Sequence, residues 1–247
     1  MTEHRFRHTL RRSWRLLRAF GHEQSDPDRF YGPLAEDSVR QVEAFAPLDG
    51  RLLLDVGGGP GYFADAFRAA GARYVGLDAD PDELTGRGVP AEGMVLGSGM
   101  QLPFADATFD VGYSSNVLEH VPEPWTMADE VVRVTRPGGV VVLAYTLWWG
   151  PWGGHETAPW HLLGGHRARR RYVRRYGHEP KNVFGTSMFA VTAGAGVRWL
   201  RSHPDLVDVR AFPRYLPHWL HWIVWVPVLR EVATWNLVLV GRRRDDR

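Results

Sequence analysis

The sequence predicts an α/β fold built on a mostly parallel sheet with helices on both faces. Three observations lead there. Short apolar runs alternate with helical stretches between residues 52 and 147. The first run, Leu52-Leu53-Leu54-Asp55-Val56, ends in a cluster of glycines. The second, Tyr74-Val75-Gly76-Leu77, ends at an acid, Asp78. The 247 residues, 44% hydrophobic and 23% charged, suit one α/β domain with additions. A chain this long buries roughly 70–75% of its unfolded surface and needs no disulfide or metal staple.

The elements follow in order. Residues 4–20 read as a basic amphipathic helix with Phe6, Leu10, Trp14 and Leu17 on one stripe. Asp26-Pro27 and Gly32-Pro33 mark 25–33 as a loop, and 34–46 read as a second helix. Residues 1–48 thus form a helical extension, and 49–247 the main domain. Strands are predicted at 52–56, 74–78, 93–97, 109–114 and 139–147, and helices at 61–70 and 124–135. An insertion rich in Trp, Gly and His begins at 148 and ends in a basic helix at 167–176. Two last strands, 206–214 and 234–241, flank an aromatic helical segment at 216–230. Seven of the 11 tryptophans fall in 148–160 and 219–225, so these two segments share a task, as core or as binding surface.

Composition excludes several chemistries. Cysteine is absent, which removes thiol nucleophiles, thiolate zinc sites and disulfides. The one lysine, Lys181, lies between Pro180 and Asn182, so there is no phosphate-binding G-K-[ST] loop. An H-E-x-x-H zinc motif starting at His155 fails at Pro159. The net charge of +2 is too small to point to a nucleic acid. Charge is uneven, however: residues 5–18 carry six arginines and no acid, and 167–175 carry six more. These patches suit peripheral contact with an anionic membrane. No signal peptide or spanning helix is visible, so a cytoplasmic location is expected, at the inner membrane face if the patches dock there.

The most informative stretch is Asp55-Val56-Gly57-Gly58-Gly59-Pro60-Gly61, after a strand and opening a helix. Glycines there permit positive φ and close approach of a ligand. Asp78 at the end of the second strand suits a ribose diol. The pair reads as a site for a nucleoside-containing ligand. A dinucleotide G-x-G-x-x-G started at Gly57 fails, because its third glycine falls on Tyr62.

The G-x-G-x-G spacing with an acid two residues before it resembles motif I of the class I S-adenosylmethionine (SAM) methyltransferases. Three further segments are similar to that family in order: Leu102-Pro103-Phe104-Ala105-Asp106-Ala107-Thr108-Phe109-Asp110, Ser115-Asn116-Val117-Leu118-Glu119-His120-Val121, and Arg136-Pro137-Gly138-Gly139. The likeness is to the type 11 group, which includes methyltransferases of ubiquinone and menaquinone biosynthesis. It implies a Rossmann-like, doubly wound, seven-stranded sheet with an antiparallel last strand. It implies SAM as cofactor and S-adenosylhomocysteine as product, held by Asp55, Gly57, Gly58, Gly59, Gly61, Asp78, Ala79, Ser98, Gly99, Met100 and Asn116. Tyr31 reaches the cofactor if the amino-terminal helices form a lid. Relatives often carry an acid at the adenine position. Ser98 stands there instead, which implies modest donor affinity.

Methyl transfer is an in-line displacement, and a hydroxyl acceptor also needs a base. In the family, the chain after strands four and five faces the methyl group. His155 is the preferred base and His120 the second candidate. Trp148, Trp149 and Trp160 are expected to wall the acceptor pocket, with Glu156 and His161 beside them. Some quinone-pathway relatives use a Glu-His pair after strand four to bind metal. Glu119 and His120 match in type, but no further ligands can be placed, so no metal is expected. The expected reaction is methylation of a small-molecule, sugar or lipid-type acceptor, at oxygen. Carbon or nitrogen methylation of a ring or lipid substrate is the alternative, as is a SAM- or lipid-binding protein without turnover. The sequence leaves the oligomeric state open.

Overall fold

The computed structural model describes residues 6–20 and 27–245. Its centre is a seven-stranded sheet. The strands are β1 (Leu52–Val56), β2 (Arg73–Asp78), β3 (Met94–Leu96), β4 (Phe109–Ser115), β5 (Thr135–Thr146), β6 (Leu206–Pro213) and β7 (Asn236–Arg243), in the order β3-β2-β1-β4-β5-β7-β6. All neighbours are parallel except β7, which runs antiparallel to β5 and β6. The chain reverses direction across the sheet between β1 and β4, and a crevice for ligands opens there at the carboxyl ends of the strands.

Both faces of the sheet are buried, so the strands read as continuous apolar runs rather than as alternating ones. Along β5 the residues still divide by parity. Val141, Leu143 and Tyr145 join one core, while Val140, Val142 and Ala144 join the other. The first core is covered by α5 (Pro124–Val134), through Met127, Val131 and Val134, and by α7 (Ala193–Ser202), through Val197 and Leu200. The second is covered by α1 (Leu10–Phe20), α2 (Pro27–Glu43) and α3 (Ala64–Ala69), through Leu16, Leu34, Val42 and Phe67. The sequence reading lacks α7 because Gly194 and Gly196 dilute its helical pattern. Gly196 is needed there: a Cβ would lie 2.1 Å from the Tyr145 hydroxyl.

The amino-terminal expectations need correction. Residues 4 and 5 of the predicted first helix, and residues 25 and 26 of the predicted loop, lie outside the described residues. Helix α1 does not bury the Phe6/Leu10/Trp14/Leu17 stripe. It buries Arg12, Leu16 and Ala19. The reason is a buried fork: Arg12 Nε and Nη2 donate to the Asp37 carboxylate at 2.7 and 2.5 Å, and Nη1 donates to the Arg214 carbonyl at 2.7 Å. Helix α2 starts at Pro27 rather than 34 and runs through Gly32 and Pro33. Burial of Leu34, Ala35, Val39 and Val42 outweighs the bond lost at the proline. Arg214, fully buried, donates to Ser38 Oγ on α2 and to Ser115 Oγ at the end of β4, which ties the extension to the sheet.

The insertion after β5 contains two 3₁₀ turns, His155–Thr157 and Trp160–Leu163, then α6 (Gly165–Tyr176). The aromatic segment is not one helix. It is a 3₁₀ stretch, His218–Trp225, followed by α8 (Leu229–Ala233). The remaining short helix, α4 (Pro81–Leu84), follows β2 directly.

Candidate active site

At the end of β1 the backbone turns back on itself. Gly57 and Gly58 N–H groups both donate to the Leu77 carbonyl, at 2.7 and 3.1 Å, which fastens the turn to β2. Gly57, Gly59 and Gly61 have φ of +77°, +51° and +83°, a region that favours glycine. A Cβ on Gly57 would meet Val117 at 2.2 Å, so the space beneath the loop is filled. A Cβ on Gly59 would meet nothing within 4 Å among the described residues, so they leave the outer side of the loop open. One Asp78 carboxylate oxygen accepts the Gly59 N–H at 2.9 Å, and the other accepts the Asp80 N–H at 3.0 Å. Each oxygen keeps a lone pair for a ribose hydroxyl.

Asp55 lies buried below this loop, and its Oδ2 accepts the Tyr74 hydroxyl at 2.8 Å. Burial pushes its carboxyl up to about 7, against the Tyr74 hydrogen bond and with help from the Asp78 charge. A cationic group brought near it would favour the ionised form. At the expected adenine side, Ser98 is exposed and its Oγ accepts the Met100 N–H at 3.2 Å. Gly99 is there for close packing, since a Cβ would lie 3.0 Å from Val56 Cγ1. Ala79 is exposed next to Asp78. Tyr31 of α2 stacks on Tyr62 at 4.4 Å, immediately after Gly61, so the extension reaches the glycine loop.

A cap spans this crevice. The Lys181 ammonium pairs with Glu83 of α4 at 3.0 Å. Phe189 N–H donates to the Glu119 carbonyl at 2.8 Å. Residues 181–189 therefore run from the end of β2 to the end of β4. Beneath them, His120 Nδ1 is 2.8 Å from the Ser187 carbonyl. Donation from Nδ1 leaves Nε2 as the lone-pair nitrogen. The His155 ring stands edge-on to it at 5.1 Å. His155 has φ +47°, and its Nδ1 is buried without a partner among the described residues. Burial, aided by His120 and His161, holds this imidazole down at about 3. Glu119 is buried. Its Oε1 accepts the Thr146 N–H at 2.9 Å, and its Oε2 has no partner among the described residues. Glu119, His120 and His155 each offer one ligand atom, all within 4.8 Å of one another.

Comparison with known proteins agrees with this geometry. Residues 54–143 match the model of a methyltransferase domain family. An uncharacterised methyltransferase of Mycobacteroides abscessus is 52% identical over 252 residues, covering 96% of each chain. The chain belongs to the SAM-dependent methyltransferase family. A SAM-dependent methyltransferase of Mesorhizobium loti shares the fold, with TM-score 0.54 at 21% identity over 85% of this chain and 98% of the other. So does the [4+2]-cyclase SpnF, with TM-score 0.53 at 16% identity over 85% of this chain and 81% of that one.

Within this methyltransferase, the predicted acceptor residues divide. Trp148 is buried, against His161 at 5.1 Å and Phe184 at 4.7 Å, so it is cap core rather than an open pocket wall. His161 is fully buried, with Nε2 3.1 Å from the Gly150 carbonyl, and serves the same packing. Trp149 and Trp160 are exposed, and Arg171 lies 3.8 Å over the Trp160 ring. Glu156 Oε1 accepts Asn182 Nδ2–H at 2.9 Å. Asn116 takes φ +59° at the end of β4, and its Oδ1 accepts Asn236 Nδ2–H at 2.7 Å. Sequence reasoning missed Ser187, Lys181 and Arg214. The first acts through its backbone carbonyl, which leaves no signal in residue type. Lys181, as the only lysine of the chain, was a visible clue.

Proposed function

We propose that the enzyme moves the SAM methyl group to an oxygen of a small-molecule, sugar or lipid-type acceptor bound beneath the cap. The acceptor oxygen attacks the methyl carbon, and the carbon–sulfur bond breaks with its electron pair staying on sulfur. S-adenosylhomocysteine forms, and the hydroxyl proton passes to His120 Nε2. The observation that carries this reading is the His120–Ser187 hydrogen bond, which fixes a tautomer with its basic nitrogen free. His155 packs on His120 and shapes its surroundings.

The test is release of S-adenosylhomocysteine on incubation with a cell extract, followed by mass spectrometry of the product. His120→Ala should lower turnover by ~10²–10⁴-fold while leaving SAM affinity unchanged. Wild-type turnover in that variant would remove His120 from the chemistry, and a methylated carbon or nitrogen would replace the oxygen assignment.

A second reading rests on the unpartnered Glu119 Oε2 and His155 Nδ1. With His120 they form a mixed N/O donor set that suits a divalent transition metal. A cation there would acidify a bound acceptor hydroxyl. Dialysis against a chelator separates the two: activity lost and restored by added metal favours this reading, and unchanged activity favours the unaided histidine.

A further inference from the structure

We propose that the rim made by α1 and the 218–228 segment docks on the surface of an anionic lipid bilayer. The two pieces form one surface. His218 N–H donates to the His8 carbonyl at 2.9 Å, and the His8 and His221 rings meet edge-on at 4.6 Å. Because α1 anchors itself through Arg12, Leu16 and Ala19, its apolar stripe points outward, with Leu10 63% and Trp14 57% exposed. Trp219, Trp222 and Trp225 are 55%, 53% and 46% exposed. Their spacing of three matches a 3₁₀ helix, where side chains at i and i+3 eclipse, so the three rings share one face. Val226 and Val228 extend it.

Charge selects the occupant. Residues 6–20 carry five arginines and no acid, and Arg7, Arg11 and Arg18 are exposed beside the apolar stripe. Arg18 lies 5.4 Å over Trp14, and Arg201 4.4 Å over Trp225. A recess of about 900 Å³ between α1 and α2 is lined by five arginines, among them Arg11, Arg15 and Arg40, against three acids. Residues 6–20 thus present a single sign of charge beside the exposed tryptophans, and this pairing fits the headgroup boundary of an anionic bilayer. No helix among the described residues is long and apolar enough to cross a membrane, so the contact is peripheral.

Position gives the contact a use. β6 runs parallel to β4, so the chain leaves Pro213 at the same edge as the crevice, and Arg214 reaches Ser115 there. The rim therefore borders the active-site side, where an acceptor carried in a bilayer would arrive. The docking itself is read without methyl transfer, so it stands or falls separately from the proposed reaction.

The experiment is flotation of the full chain with vesicles of phosphatidylglycerol and phosphatidylcholine, and with phosphatidylcholine alone. Binding should require the anionic lipid and fall with added salt. Brominated lipids should quench the tryptophan fluorescence of the wild-type protein. Trp219→Ser with Trp222→Ser should weaken binding about tenfold or more. Arg11→Gln and Arg18→Gln should each weaken it about fivefold. These side chains are exposed, so melting temperatures should stay near wild type. A wild-type protein that stays in solution with anionic vesicles at low salt overturns the proposal. So do variants that bind as well as wild type. So does a wild-type dimer that the tryptophan variant converts to monomer, because the face then belongs to a second copy of the chain.

Discussion

The glycine crevice and the arginine–tryptophan rim are built from the same chain by opposite means. In the crevice, backbone conformation fixes residue identity. Gly57 has a positive φ and Val117 directly beneath it, and Asp78 takes its place by accepting two backbone N–H groups. Along the rim, side chains choose between two faces of one helix. Helix α1 carries an apolar stripe and an arginine that can be fully paired, and the paired arginine wins the buried side. A buried ion is tolerable only when it is forked and hydrogen-bonded, and Arg12 is both. Leu10 and Trp14 of the apolar stripe are then left exposed.

Three pairs of measurements sharpen this contrast, from the largest effect down. Arg12→Ala should destabilise the fold by about 3–5 kcal/mol, since it strands buried Asp37, whereas Trp14→Ala should cost no more than about 0.5 kcal/mol. Urea denaturation of both variants checks which face of α1 is anchored. An expensive Trp14 and a cheap Arg12 would invert the description of the rim.

In the crevice, Gly57→Ala should cost about 2–4 kcal/mol, because a Cβ meets Val117 and the backbone is left-handed. Gly59→Ala should cost only about 1–2 kcal/mol yet block the donor, since its Cβ enters the open side of the loop. The split between stability and SAM binding separates the filled side of the loop from its open side.

The third concerns acid. Burial, with Arg12, His221 and His218 close by, lowers the His8 imidazole to about 2, and His221 is lowered by burial too. Below the ordinary histidine pKa of about 6.5 the unfolded chain binds a proton that the folded rim refuses. Stability is thus full above that pH and falls as pH drops. At pH 5 the loss from His8 is about 2 kcal/mol. His8→Gln should flatten the curve between pH 7 and pH 5, as read by urea midpoints.

What was legible in the sequence follows the same division. Strand positions, the mostly parallel sheet and the glycine turn after β1 were readable because each rests on local pattern or on a backbone constraint that one residue type satisfies. The edges were harder. Pro33 signals a loop, but tertiary burial of Leu34 and Val42 carries the helix through it. Trp148 and Trp149 are neighbours of one type, yet one is core and the other exposed, because the cap folds back through Phe184 and His161 from far along the chain. The meeting of His155 with Glu119 and His120 is equally non-local and left no mark in spacing.

The most direct test is titration calorimetry of the folded protein with SAM and with S-adenosylhomocysteine. The account predicts heat with both ligands. Asp78→Ala should raise the dissociation constant by about 100-fold or more, through loss of two charge-assisted hydrogen bonds to the ribose. Absence of heat with folded wild-type protein, or undiminished binding in Asp78→Ala, would contradict it.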